Sequence, residues 1–123
     1  MLAEMDLKAF VPTLSPGKAQ FFYQELLGLE LMSADEYALE FNAHGVSLRV
    51  ITVSAFKPHE FTVLGWNVPD LSTLIHTMHS KGIFCERFPF LQQDNLGIWI
   101  SPRGSKIAWF KDPDGNLLSL TEP

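Results

Sequence analysis

Cysteine is almost absent from this chain. Cys85 is the only one in 123 residues, so no intrachain disulfide can form. That suits a reducing compartment, and a cytoplasmic location is the expectation. Basic residues are scarce as well. Nine Lys and Arg stand against 14 Asp and Glu, giving a net charge of −5 with no basic run or stripe. Neither nucleic acid nor an anionic membrane is expected as a partner on that balance. Long apolar runs are also missing. The opening MLAEMDLKAF has no basic leader and no extended hydrophobic stretch, so neither a signal peptide nor a spanning helix is expected. What is present is a globular composition, 46% hydrophobic and 19% charged, enough for a single domain over residues 1–123 with a real core.

The chain falls into two similar halves. LKAFVPTL has the pattern of a strand, and SPGKAQFFYQELLG that of a helix. Ser15 fits the N-cap, Pro16 the first helical position and Gly28 the position past the end. Ala19, Phe22, Tyr23 and Leu26 recur at i, i+3, i+4, i+7, the spacing of a buried stripe. The strand-like pieces LELMSA, YALEF and VSLRVIT follow, with NAHG as the hairpin between the last two. FTVLGWNV then opens the second half as a strand. DLSTLIHTMHSKG is its helix, with Asp70 as N-cap, Gly82 past the end, and Leu71, Leu74, Ile75 and Met78 as the stripe. Weaker strands are expected at FCERF, GIWIS, KIAWFK and NLLSL, with PFLQQDN as an irregular crossing. The plan is β-α-β-β-β twice, in modules of about 6–54 and 60–122 joined through AFKPHEF. The fold class is α+β.

Alternation within the strands separates two kinds of face. Val46, Leu48 and Val50 share one side of their strand; Ser47, Arg49 and Ile51 share the other. Leu64 and Trp66 oppose Val63, Gly65 and Asn67. Ala108, Phe110, Leu118 and Leu120 oppose Ile107, Trp109, Leu117, Ser119 and Thr121. The first face is apolar and suits helix packing. The second mixes Ser, Arg, Asn and Thr with large apolar groups, which suits a lined cavity better than open water.

Two marks carry a resemblance to a known family: Phe22-Tyr23 followed by Leu27-Gly28 in the first helix, and the run from Phe110 through Asp112-Pro113-Asp114-Gly115-Asn116 near the end. With the doubled element order, the chain resembles the vicinal oxygen chelate superfamily, the glyoxalase/bleomycin-resistance/dioxygenase group, over essentially its whole length. The resemblance implies a curved mixed sheet around a cup-like cavity, and a homodimer that closes its cups across a two-fold axis. It also implies four metal-ligand positions in the metal-dependent members. By spacing these fall at about Ala9 (with Phe10 one residue on), Arg49, Val63 and Ser119. Alanine and valine have no donor atom and arginine is a cation, so no metal and no cofactor is expected here.

Other constellations have plain structural readings. Asp112–Asn116 could suggest a calcium loop, but its Gly comes too early for an EF-hand and no bidentate Glu follows in place, so a tight corner is expected. His76 and His79 sit on the solvent flank of their helix, and His44 and His59 fall in loops. Cys85 has no base fixed near it, and Tyr23 belongs to the buried stripe. Arg49 stands out on an apolar-patterned strand. It either pairs with an acid such as Glu40 or anchors an anionic ligand through two hydrogen bonds. Trp109, Trp99 and Phe61 can add flat apolar walls, with Val63 and Ser119 lining beside them. The expected function is metal-free binding of a small aromatic or anionic compound. The alternative is a glyoxalase-like lyase or isomerase, or a dioxygenase-type enzyme, with an atypical site; no acid–base pair is visible to run it.

Overall fold

In the computed structural model, which describes residues 1–123, the chain divides into two units, Met1–Pro58 and His59–Pro123. The first contains β1 (Lys8–Thr13), α1 (Pro16–Gln20), β2 (Glu30–Ala34), β3 (Ala38–Ala43) and β4 (Val46–Thr52), with sheet order β1-β4-β3-β2. The second contains β5 (Leu64–Asn67), α2 (Leu71–Ser80), β6 (Trp99–Ile100), β7 (Lys106–Lys111) and β8 (Leu117–Glu122), with order β5-β8-β7-β6. Each sheet is mixed: the first strand runs parallel to the last, and the remaining pairs are antiparallel. The α+β class and the two βαβββ modules are as the sequence implies.

The register of the first sheet follows from its turn. His44 and Gly45 both adopt positive φ, 50° and 88°, as a type I′ hairpin requires, and the Gly45 N–H donates to Asn42 Oδ1 at 2.7 Å. Ala43 therefore pairs with Val46, and Glu40 with Arg49. Leu48, Val50, Leu39 and Phe41 are buried and α1 packs against β3 and β4, so the apolar face receives the helix. In the second unit Ala108, Phe110, Leu118 and Leu120 are all buried, and α2 packs on β8. Leu117 departs from the expected face: it is 5% exposed and buried at the start of β8.

Four expectations need correction. The first helix is α-helical only to Gln20, and Phe21–Leu26 is π-helical, with the Leu27 N–H donating to the Phe22 carbonyl five residues back. Ala19, Phe22 and Tyr23 are buried as the stripe predicts. Ser15 precedes the helix without a side-chain cap, while its N–H donates to Thr13 Oγ1 at 3.0 Å. Finally, FCERF is not a strand. Glu86 N–H alone reaches β7, at the Trp109 carbonyl. The Gln93 side chain takes the place of a ladder: Nε2 donates to the carbonyls of Glu86 and Gly97, and Oε1 accepts from Phe88 N–H. GIWIS shrinks to the two residues of β6. Gly97, at φ 93°, lies so close to Cys85 that a Cβ there would meet the Cys85 Cβ at 2.8 Å.

α2 forms as its signals direct. Asp70 accepts from both the N–H and the hydroxyl of Thr73, and these two bonds hold its carboxyl below the ordinary Asp value. Gly82 takes a positive φ of 80° just past the end. The Leu71 N–H donates to Glu122 Oε1, which ties the helix start to the end of β8. No helix is long and apolar enough to cross a membrane.

Candidate functional site

On the mixed face of the first sheet a transverse row crosses all four strands: Phe10 on β1, Arg49 on β4, Glu40 on β3 and Ser33 on β2. Arg49 Nη1 lies 3.8 Å from Glu40 Oε2, and each side chain is 28% exposed. Glu40 also accepts from Ser47 Oγ at 2.7 Å and from Ser33 Oγ at 3.4 Å. The Ser47 hydrogen bond above all, then the charges of Arg49 and Lys8, hold the Glu40 carboxyl below its usual value against the opposing effect of burial. The acid that compensates Arg49 is therefore a protein residue one strand away. The guanidinium's remaining N–H groups meet no protein acceptor. Nearby, a groove of about 230 Å³ is lined by Met32, Glu40, Phe41, Asn42, Gly45, Val46 and Ser47.

The second sheet carries a row of Gly65, Ser119 and Trp109. The Ser119 hydroxyl leans over Gly65, where an added Cβ would meet it at 2.5 Å. Trp109 is fixed by a bond from Nε1 to Thr62 Oγ1 at 3.1 Å. Its ring meets Phe88 edge-on at 5.4 Å and Trp99 at 6.1 Å, and Phe88 continues to Phe90 at 5.6 Å. Trp99 also lines a groove of about 390 Å³ with Gln92, Gln93, Asp94, Ile98 and Ile100. Of the six residues singled out as ligand-binding, Trp109 and Trp99 touch each other, and Ser119 pairs with Trp109 across β7–β8. Val63 lies just before β5 and donates its N–H to the Leu117 carbonyl. Phe61 is exposed and stacks on His59 at 4.6 Å. Phe10 and Glu40 complete the first row, and Thr62 and Phe88 hold the Trp109 ring in place.

The residues do not fit the metal that the fold family implies. On β1 the face of Arg49 carries Phe10 rather than Ala9, and on β5 the face of Ser119 carries Gly65. Phe10, Arg49, Gly65 and Ser119 make no divalent-ion donor set. No group of three or more His, Cys, Asp or Glu side chains is placed to hold a metal elsewhere. At the corner before β8, Asp112 Oδ1 accepts from the N–H groups of Asp114 and Asn116, and Oδ2 from Asn116 Nδ2. That carboxylate is consumed by its own turn. Burial pushes the Cys85 thiol up to about 11, so at neutral pH it is a thiol and not a nucleophilic thiolate.

Solved structures share this architecture end to end. A glyoxalase/bleomycin resistance protein/dioxygenase superfamily member from Sphaerobacter thermophilus aligns at TM-score 0.76 and 19% identity, over 100% of both chains. The chain has the glyoxalase/bleomycin-resistance fold. A lactoylglutathione lyase from Agrobacterium tumefaciens aligns at TM-score 0.76 and 15% identity, covering 97% of this chain and 93% of its own. A bleomycin-binding protein complexed with bleomycin aligns at TM-score 0.74 and 20% identity, covering 96% and 98%. No family sequence model and no curated protein sequence matches the chain. The glyoxalase/bleomycin-resistance fold hosts ligand-binding proteins and enzymes alike, so function here turns on the two rows of residues.

Proposed function

We propose that this protein binds a small, flat aromatic compound without a metal. The observation that carries this reading is that Phe10 and Arg49 on the first sheet, and Gly65 and Ser119 on the second, offer no divalent-ion donor set. The fixed Trp109 ring, packed with Trp99 and Phe88, supplies the aromatic surface. Ser119 lies opposite Trp109 in the β7–β8 register, and Val63 and Phe61, an exposed ring, belong to the same unit; on the first unit Arg49 is a polar anchor of its own row. A lyase, isomerase or dioxygenase of the metal-dependent kind is disfavoured by the same donor set.

The functional form is a homodimer, located in the cytoplasm. Each four-stranded sheet ends in strands that lack a neighbour on one side within that sheet, and large side chains such as Phe10, Met32 and Ile100 are exposed. Unpaired edges favour association, and an isologous pair is the commonest way to satisfy it.

A fluorescence titration with 2-naphthol in the presence of EDTA tests the reading. Saturable quenching is expected, and Trp109→Ala should weaken binding about three- to tenfold, the worth of one aromatic contact. Trp66→Phe, altered on the opposite face of the sheet, should bind as the native chain does. Loss of binding on adding EDTA, or equal affinity after Trp109→Ala, contradicts it.

A further inference from the structure

The cross-strand pair of Arg49 and Glu40 has a consequence for which ligand the first sheet can select. A guanidinium by itself invites a carboxylate or phosphate. Here the invitation is already answered. Glu40 lies directly opposite Arg49 in the β3–β4 register and 3.8 Å from it. Lys8 acts on Glu40 from β1. Arg49 and Glu40 thus cancel each other on this row, and Arg49 has no unanswered charge left for a ligand anion. Hydrogen-bonding capacity does remain. Arg49 keeps N–H donors that meet no protein acceptor, and Glu40 spends its oxygens on Ser47, Ser33 and the loose contact to Arg49. A donor and an acceptor of opposite charge therefore stand side by side. Phe10, 53% exposed, is the neighbour of Arg49 on the other side.

We infer that the Phe10–Arg49–Glu40 row recognises a neutral group carrying a carbonyl and an N–H on one edge, a carboxamide, lactam or imide attached to a flat ring, in preference to a free acid. The ligand carbonyl accepts from Arg49, its N–H donates to Glu40, and the ring lies against Phe10. A carboxylate in the same place meets Arg49 equally well but brings its second oxygen against Glu40 as a like charge. It must either displace Glu40 from Arg49 or bear that repulsion. The inference rests on the proposed small-molecule-binding function and names the ligand class for it.

A matched pair of probes, 2-naphthamide and 2-naphthoate, tests it by calorimetry on the full-length protein at neutral pH. The amide is expected to bind about tenfold tighter, the scale of one hydrogen bond to a charged group. Glu40→Gln should remove or reverse that ratio by admitting the acid, and Arg49→Met should weaken the amide. The native ratio needs no variant, so a poorly folding substitution does not blunt the test. Equal affinities, tighter binding of the acid, or an unchanged ratio in Glu40→Gln overturns the inference and leaves small-molecule binding standing. Failure of the native chain to bind either probe overturns both.

Discussion

Phe110→Ala should destabilise the protein by about 3–5 kcal/mol, the largest loss expected from any single side chain in the second sheet. Phe110 is 1% exposed, pairs with Leu118 across β7–β8, and stacks with Trp66 at 6.4 Å. Ala108, Leu118 and Leu120 on the same face are equally shut off from water, so little can collapse into the space left by the ring. A domain of this size has roughly 5–15 kcal/mol in all, so the variant sits near the edge of folding. Urea unfolding measures it: the midpoint should fall with little change in slope. Trp109→Ala is the control. It removes a larger ring from the opposite, half-exposed face and should cost well under half as much. A loss below about 1 kcal/mol for Phe110→Ala would show that this face is not the core of the second unit.

Asp112→Ala should cost roughly 2–4 kcal/mol, which is unusual for a turn residue. Asp112 is 5% exposed, and its carboxylate accepts from Asp114 N–H, Asn116 N–H and Asn116 Nδ2. Removing it leaves buried donors without that acceptor at the corner between β7 and β8. Asp112→Asn should fall between: one oxygen survives, but an NH₂ faces the Asn116 amide. Thermal unfolding of the three proteins gives the order. If the corner were a calcium loop, millimolar calcium would raise the native melting temperature and have no effect on Asp112→Ala. The expected result is no calcium effect on either.

Register is where the sequence proved most legible. Counting outward from Asn42–Gly45 pairs Glu40 with Arg49, and counting outward from Asp112–Asn116 pairs Trp109 with Ser119. Tight turns fix such pairings because a slip of one residue would bury the polar face. The parallel neighbours could not be counted that way. Their crossovers pass through helices, so the sequence places the β1 position only at about Ala9 or Phe10 and the β5 position at about Val63; the register puts Phe10 opposite Arg49 and Gly65 opposite Ser119. The π-helical stretch was hidden because Phe22 and Tyr23 fit an α-helical stripe as well. FCERF alternates like a strand, yet it precedes Pro89, and the Gln93 side chain satisfies its backbone from five residues beyond Phe88 and seven beyond Glu86; no local pattern announces such a bond. Within the site, Arg49 and Trp109 were visible as misfits on patterned strands. Glu40 reads from the sequence as an ordinary partner, whereas the register sets it directly opposite Arg49, 3.8 Å away.

Native mass spectrometry of the untagged protein tests the central claim, metal-free ligand binding, most directly. Purified without chelator and then incubated with 2-naphthol, the protein should appear at about twice the 13.9 kDa chain mass. It should carry well under one metal ion per chain and a ligand adduct that survives EDTA. Stoichiometric zinc, nickel or iron, lost to EDTA together with the ligand adduct, would contradict the account.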